Sequence, residues 1–236
     1  MNRFLTTLIL FLFFCSFVNA QDVTDGFGKV ELPDNSVYEG NLENGLFQGD
    51  GFLILPDGSK YEGQFEKGLM HGKGLFIKPK TYIYEGEFKD GLMHGSGIYI
   101  WANGNVYEGE LVKDRMTGKG KIVFSNGDKY KGQFLDGKMD GKGVLEFANQ
   151  DKYKGEFSNG AINGKGILVF ASGDNYVGQF KDGNIHGQGV LLYANGDKYE
   201  GEFKNGKFSG NGVFSYNNKE KGVIKGKWLY GKYLER

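Results

Sequence analysis

A tyrosine recurs every 23 residues along this chain: Tyr38, Tyr61, Tyr84, Tyr107, Tyr130, Tyr153, Tyr176 and Tyr199. Two positions after each stands a glycine: Gly40, Gly63, Gly86, Gly109, Gly132, Gly155, Gly178 and Gly201. Two further on is Leu or Phe, from Leu42 and Phe65 to Phe203. Each unit also holds a Gly-x-Gly, from Gly49/Gly51 to Gly210/Gly212. Columns held in phase over eight copies define a tandem array, in which one supersecondary unit stacks on the next.

The unit reads as a β-hairpin. In Tyr-x-Gly-x-Phe the three named residues share one face of a strand, because side chains alternate with period two. Asn44-Gly45, Lys67-Gly68, Asp90-Gly91 and Asp136-Gly137 then supply the positive φ of a tight reversal. The following run, as in Gly164–Phe170, is β-branched and aromatic at its end and suits a second strand. A second turn signal, as in Asp57-Gly58 or Asn195-Gly196, closes the unit. Two interior glycines per strand pair cost about 1 kcal/mol each in a helix, so none is expected after residue 20. With 41 Gly, 3 Pro, 20 Phe and 14 Tyr among 236 residues, collagen and disorder are both excluded. A ring lying over a glycine of the neighbouring strand shields exposed backbone, which explains why the two columns travel together. The expected fold is all-β: an elongated, single-layer antiparallel sheet of tandem hairpins. Sixteen to eighteen strands at roughly 4.8 Å spacing give a rod or trough of about 80 Å.

Tyr61-Glu-Gly-Gln-Phe-Glu-Lys-Gly-Leu-Met-His-Gly-Lys-Gly74 resembles the MORN (membrane occupation and recognition nexus) repeat, as do Tyr84–Gly97 and Tyr199–Gly212. The resemblance covers 38–221 as eight units. A half-unit, Gly26–Asp34, precedes them in phase, since Gly26 lies 23 before Gly49. Ile224–Gly231 is similar to the first half of a unit and follows Tyr199 by 25 residues, which places a two-residue insertion before it. The organisation expected is 1–20 as a leader, 21–37 as linker and half-repeat, 38–223 as eight repeats, and 224–236 as a half-repeat cap. The resemblance implies scaffolding, with some members tied to membranes or anionic lipids.

Met1-Asn-Arg3 is a short positive start, Phe4–Val18 an uncharged apolar run, and Val18-Asn-Ala20 a small-residue cut site before Gln21-Asp22. That is the form of a secretory signal peptide cleaved between Ala20 and Gln21. A permanent membrane span needs roughly 20 apolar residues, more than this run supplies. The single Cys15 falls within the leader, behind a bulky Phe14 that is unsuited to lipidation. The chain is therefore expected to be secreted or periplasmic, without disulfides. Residues 1–20 carry only Arg3, so the mature chain has 28 basic against 29 acidic residues, a net of −1. That balance does not suit nucleic acid.

No catalytic, cofactor or metal site is expected. His71, His94 and His186 share one repeat column, and copies two strands apart, about 9–10 Å, do not converge on one ion. Glu39, Glu62, Glu85 and Glu108 form a ladder, whereas a glycosidase needs a distinct carboxylate pair. Gly-x-Ser-x-Gly, Gly-Lys-Ser/Thr and His-Glu-x-x-His motifs are all missing from the sequence. The apolar column Phe47, Met70, Met93, Met116, Met139, Ile162, Ile185 and Phe208 is expected to close each turn against its neighbour. Repeats four to six depart from uniformity: Lys129, Lys131, Lys152 and Lys154 flank their tyrosines, while Lys119, Lys142 and Lys165 sit between paired glycines. All seven are expected on the face opposite the tyrosines, either as a solvated face interleaved with Asp128, Asp151 and Glu146 or as a candidate anionic surface reader. Two functions follow: a non-catalytic scaffold engaging protein partners along an aromatic-lined sheet, or a peripheral binder of anionic phospholipid. Pro33 and the charged C-terminus blunt the two sheet edges, so a monomer with weak end-to-end dimers is expected.

Overall fold

The computed structural model describes residues 24–234. The leader and its Ala20–Gln21 cleavage site lie outside the described residues. Among the described residues nineteen strands form one antiparallel sheet. They are β1 (Gly26–Glu31), β2 (Val37–Glu43), β3 (Leu46–Ile54), β4 (Lys60–Glu66), β5 (Leu69–Lys78) and β6 (Tyr82–Lys89). Next come β7 (Leu92–Trp101), β8 (Val106–Val112), β9 (Arg115–Val123), β10 (Lys129–Leu135), β11 (Lys138–Glu146) and β12 (Lys152–Ser158). The array ends with β13 (Ala161–Val169), β14 (Asn175–Lys181), β15 (Asn184–Leu192), β16 (Lys198–Lys204), β17 (Lys207–Ser215), β18 (Val223–Leu229) and β19 (Lys232–Leu234). Each strand pairs with the next in sequence, so the chain is a pure meander. The count exceeds the expected sixteen to eighteen because the C-terminal half-unit folds back once more as β19.

One repeat is two strands, such as β10 and β11. Their pairing runs Tyr130↔Leu145 and Gly132↔Gly143, then jumps to Phe134↔Met139. The jump is a bulge at the first glycine of Gly-x-Gly, and Gly141 takes φ +80° there. The bulge exposes the N–H of Lys142, which the side-chain oxygen of Gln133 accepts at 2.7 Å. The same column does this in other units: Gln64 accepts from Lys73 N, Glu156 from Lys165 N, Glu202 from Asn211 N. The second glycine has a different task. Gly132 and Gly143 face each other across the pair, and the Tyr130 ring lies over both. The ring thus covers the glycine of its own strand as well as the neighbour's, where only the neighbour's was expected.

The core is a single row along the tyrosine face. All eight repeat tyrosines are at most 1% exposed, and the Leu/Phe column is also buried. Tyr61, Tyr130, Tyr153 and Tyr176 each meet their own phenylalanine and that of the next repeat edge to face, as in Tyr130–Phe134 at 5.2 Å and Tyr130–Phe157 at 4.8 Å. Such pairs add roughly 0.5–1.5 kcal/mol beyond burial. The Phe47-to-Phe208 column packs half-buried against this row. Phe47 stacks on Tyr38 at 3.7 Å and Phe208 on Tyr199 at 3.6 Å. Trp228 of β18 takes the phenylalanine place at the C-terminal end, and its indole N–H reaches the Gly212 carbonyl at 3.3 Å. The two extra residues before β18 are absorbed by a 3₁₀ turn, Lys219–Lys221, capped by the Asn218 side chain.

The reversals are tight. Asn44 and Gly45 take φ of 52° and 74°, as an Asn-Gly hairpin requires. Lys113 and Asp114 adopt the same region without a glycine. At the opposite turns an Asx carboxylate or amide staples neighbouring repeats. Asp128 Oδ1 accepts from Ala148 N, Asp151 from Ala171 N and Asp174 from Ala194 N, each at 2.8 Å.

Candidate functional site

The sheet offers two faces of different chemistry. On the first, the eight repeat tyrosines form a floor rather than a contact surface, since each is buried. Tyr130 donates its hydroxyl to the Gln133 carbonyl at 2.9 Å, and Tyr153 to that of Glu156 at 3.0 Å. Burial pushes the Tyr130, Tyr153 and Tyr176 hydroxyls up to about 12, only partly offset by the carbonyl contact. The glycines at 40, 63, 86, 109, 132, 155, 178 and 201 are the seats of those rings and present no chemistry of their own.

What a partner meets on this face is another column. Trp101, Phe124, Phe147, Phe170, Tyr193 and Tyr216 lie at the end of the second strand in repeats three to eight, all half-buried. Tyr99 and Tyr82 extend the rail near repeat three, with Tyr82–Tyr99 stacked at 4.6 Å and Tyr99–Trp101 at 4.5 Å. Sequence reasoning missed this rail. Its signal was an aromatic residue just ahead of the second turn in repeats three to eight, from Trp101-Ala to Tyr216-Asn.

The opposite face carries the lysines. Through the register, Lys129, Lys131, Lys152 and Lys154 share that face with Lys119, Lys142 and Lys165, and all seven are exposed. Lys121, which pairs directly with Lys131, joins them. The group is not purely basic. Glu146 pairs with Lys152 at 2.5 Å, and this contact holds the Glu146 carboxyl below its ordinary range. Glu156 turns onto its bulge, and Asp140 accepts from Asn159 N at 3.1 Å.

His71 stands 3.3 Å from Glu66 through Nε2, and the carbonyls of His71 and His94 accept from Tyr61 and Tyr84 at 3.3 Å. The column is thus tied to the tyrosine floor through its backbone. Among the described residues no three or more His, Cys, Asp and Glu side chains gather as a metal site would require.

Known proteins give the following comparison. In solved structures, the chain is similar to the SAS-4 (dCPAP) TCP domain of Drosophila melanogaster in complex with a proline-rich motif of Ana2. Identity is 15% over 80% of this chain and 97% of that one, with a TM-score of 0.42. It is also similar to the TCP10 domain of Danio rerio CPAP, at 10% identity over 85% of this chain and 100% of that one, with a TM-score of 0.47. No curated protein matches the chain in sequence. The family described as MORN repeat matches eight segments: 38–60, 61–80, 84–106, 107–129, 130–152, 153–175, 176–198 and 199–221. With well over half of its residues inside those eight units, the chain belongs to the MORN repeat family.

Proposed function

We propose that this chain is a non-catalytic repeat scaffold, working outside the cytoplasm as a secreted or periplasmic protein, that holds protein partners along its aromatic rail. The half-buried line Trp101–Phe124–Phe147–Phe170–Tyr193–Tyr216 carries the reading. Aromatic rings fixed by a sheet offer contact area with little side-chain entropy left to lose. Rings two strands apart stand about 10 Å from one another, so an extended segment along the long axis meets one about every third residue. The buried tyrosines beneath keep the rail rigid.

A second reading rests on the lysine face of repeats four to six, which is suited to anionic phospholipid. Attraction of about 1 kcal/mol per lysine is available near such a surface, and salt screens it. One paired experiment tests both. The purified chain, a Phe124→Gln/Phe147→Gln/Phe170→Gln variant and a Lys129→Gln/Lys131→Gln/Lys152→Gln/Lys154→Gln variant are used for protein pull-down. The same three are sedimented with phosphatidylserine vesicles at about 0.1 M and about 1 M salt. The scaffold reading expects the phenylalanine variant alone to lose its protein partner. Vesicle binding at low salt that the lysine variant loses favours the lipid reading. Retention of every partner by the phenylalanine variant sinks the rail.

A further inference from the structure

The face opposite the tyrosines carries an order of charge that the repeat itself does not impose. Its middle row, followed through the paired residues, reads Glu85, Ile98, Glu108 on β6–β8. On β10–β12 it reads Lys131, Val144, Lys154. Lys121 of β9 stands between the two halves, paired across the sheet with both Glu108 and Lys131. The two halves are therefore the same sentence written in opposite charge: charged, aliphatic, charged, with acids on one side of β9 and bases on the other.

A two-fold axis lying parallel to β9 and just outside this face exchanges β8 with β10, β7 with β11 and β6 with β12, at constant height along the strands. A second copy so placed sets Glu108 against Lys131, Ile98 against Val144 and Glu85 against Lys154, each pair occurring twice. Symmetry demands self-complementarity of this kind in an isologous interface. We infer that the chain forms a back-to-back homodimer through the outer face of β6–β12, about an axis parallel to β9.

The local chemistry agrees. Among the described residues Glu85, Lys131 and Lys154 have no salt-bridge partner within the chain, so they are available to another. Lys121, nearest the axis, is balanced by Glu108 at 2.7 Å, which removes the repulsion it would meet from its own copy. Beside the middle row the axis sets Val123 against its own copy and lays Ile83 and Ile100, 40% and 39% exposed, over Lys152 and Glu146, which already pair with each other within their own chain. Toward the hairpin tips, Glu87 and Glu156 bend down to the bulge N–H groups of Ser96 and Lys165, so these two acids do not confront each other. One strand further out the middle row would set Leu75 against Ile167, whereas toward the hairpin tips Lys73 would meet Lys165, and this like-charge pair marks the limit of the charge complementarity. Seven strands at about 4.8 Å and about 20 Å of strand length bury on the order of 700 Å² per partner, near the standard interface size. A membrane would suit the lysines but leave Glu85 and Glu108 facing anionic headgroups; a second copy satisfies both signs.

Sedimentation velocity of the purified full chain, without lipid, tests the dimer. Two variants reverse one half each: Lys131→Glu/Lys154→Glu and Glu85→Lys/Glu108→Lys. Wild type is expected to dimerise, less at high salt, and each variant to weaken the dimer about tenfold or more. An equal mixture of the two variants restores a heterodimer, because each then meets the opposite sign. Circular dichroism and melting confirm that both variants remain folded. A wild-type chain still monomeric at about 0.1 mM overturns the inference. So does a dimer indifferent to both reversals, which places the contact elsewhere, at the sheet ends or the N-terminal segment. Failure of the mixture to restore association overturns it as well.

Discussion

At the scale of the residue, the repeat tyrosine does three jobs with one side chain. At Tyr130 the ring covers a pair of facing glycines and meets two phenylalanines edge to face, and the hydroxyl satisfies a carbonyl three residues on. The seat beneath it has no room for a side chain. A Cβ on Gly132 would lie 2.5 Å from Cζ of Tyr130 and 2.6 Å from the Gly143 Cα. Replacing Gly132 by Val is therefore expected to cost roughly 1–3 kcal/mol, the range for overpacking. Replacing exposed Lys142 by Val, one residue from the facing glycine, should cost far less. Urea titrations of the two variants compare them directly, and equal midpoints would contradict the ring-seat model. The first glycine of each Gly-x-Gly is required for another reason, its positive φ at the bulge, as at Gly141.

At the scale of the element, the hairpins are regular, but Asn35, Asp114 and Gln150 each stand where other units place a turn glycine. Gln150 takes φ 75° at a turn position that Gly127, Gly173 and Gly196 fill in other units. Left-handed backbone costs a non-glycine residue about 1–2 kcal/mol, and among the described residues no side-chain hydrogen bond of Gln150 offsets it. Gln150→Gly is expected to stabilise the chain by about 1 kcal/mol, read as a raised melting temperature. A lowered one would mean the side chain makes a contact that matters. Hairpins, turns and the shared face of Tyr, Gly and Phe were all legible in the sequence, because period two and Asn-Gly or Asp-Gly pairs are local signals. Other features were not. The bulge, and with it the bond from Gln133 to Lys142 N, depends on a cross-strand register that only pairing reveals. Likewise, Asp128 and Asp151 read as solvated decoration of the lysines until their bonds to Ala148 and Ala171 bridge residues 20 apart. The aromatic rail was passed over because Trp101, Phe124 and Phe147 sit where a strand runs into its turn.

At the scale of the whole molecule, stability is a sum over near-identical junctions. The tyrosine column makes that sum sensitive to alkali. Burial raises the hydroxyls of Tyr130, Tyr153, Tyr176 and Tyr199 from near 10 to about 12, so the folded state resists their ionisation. Their contribution is complete below pH 10, the ordinary value, and is lost as pH rises through about 12. Phenolate absorbance of the buried column should therefore appear together with loss of the β-sheet signal within that window. Complete ionisation of the column below pH 10 with the sheet intact would show that the rings are not sealed. The meander has one further consequence, in mechanics. Strands lie across the long axis, so tension between the two ends runs along the hydrogen bonds and opens them one strand at a time. The array yields by peeling at low force instead of resisting in shear. Each 23-residue unit that lets go releases about 70 Å of chain, making the rod an extensible tether with eight nearly equal stops.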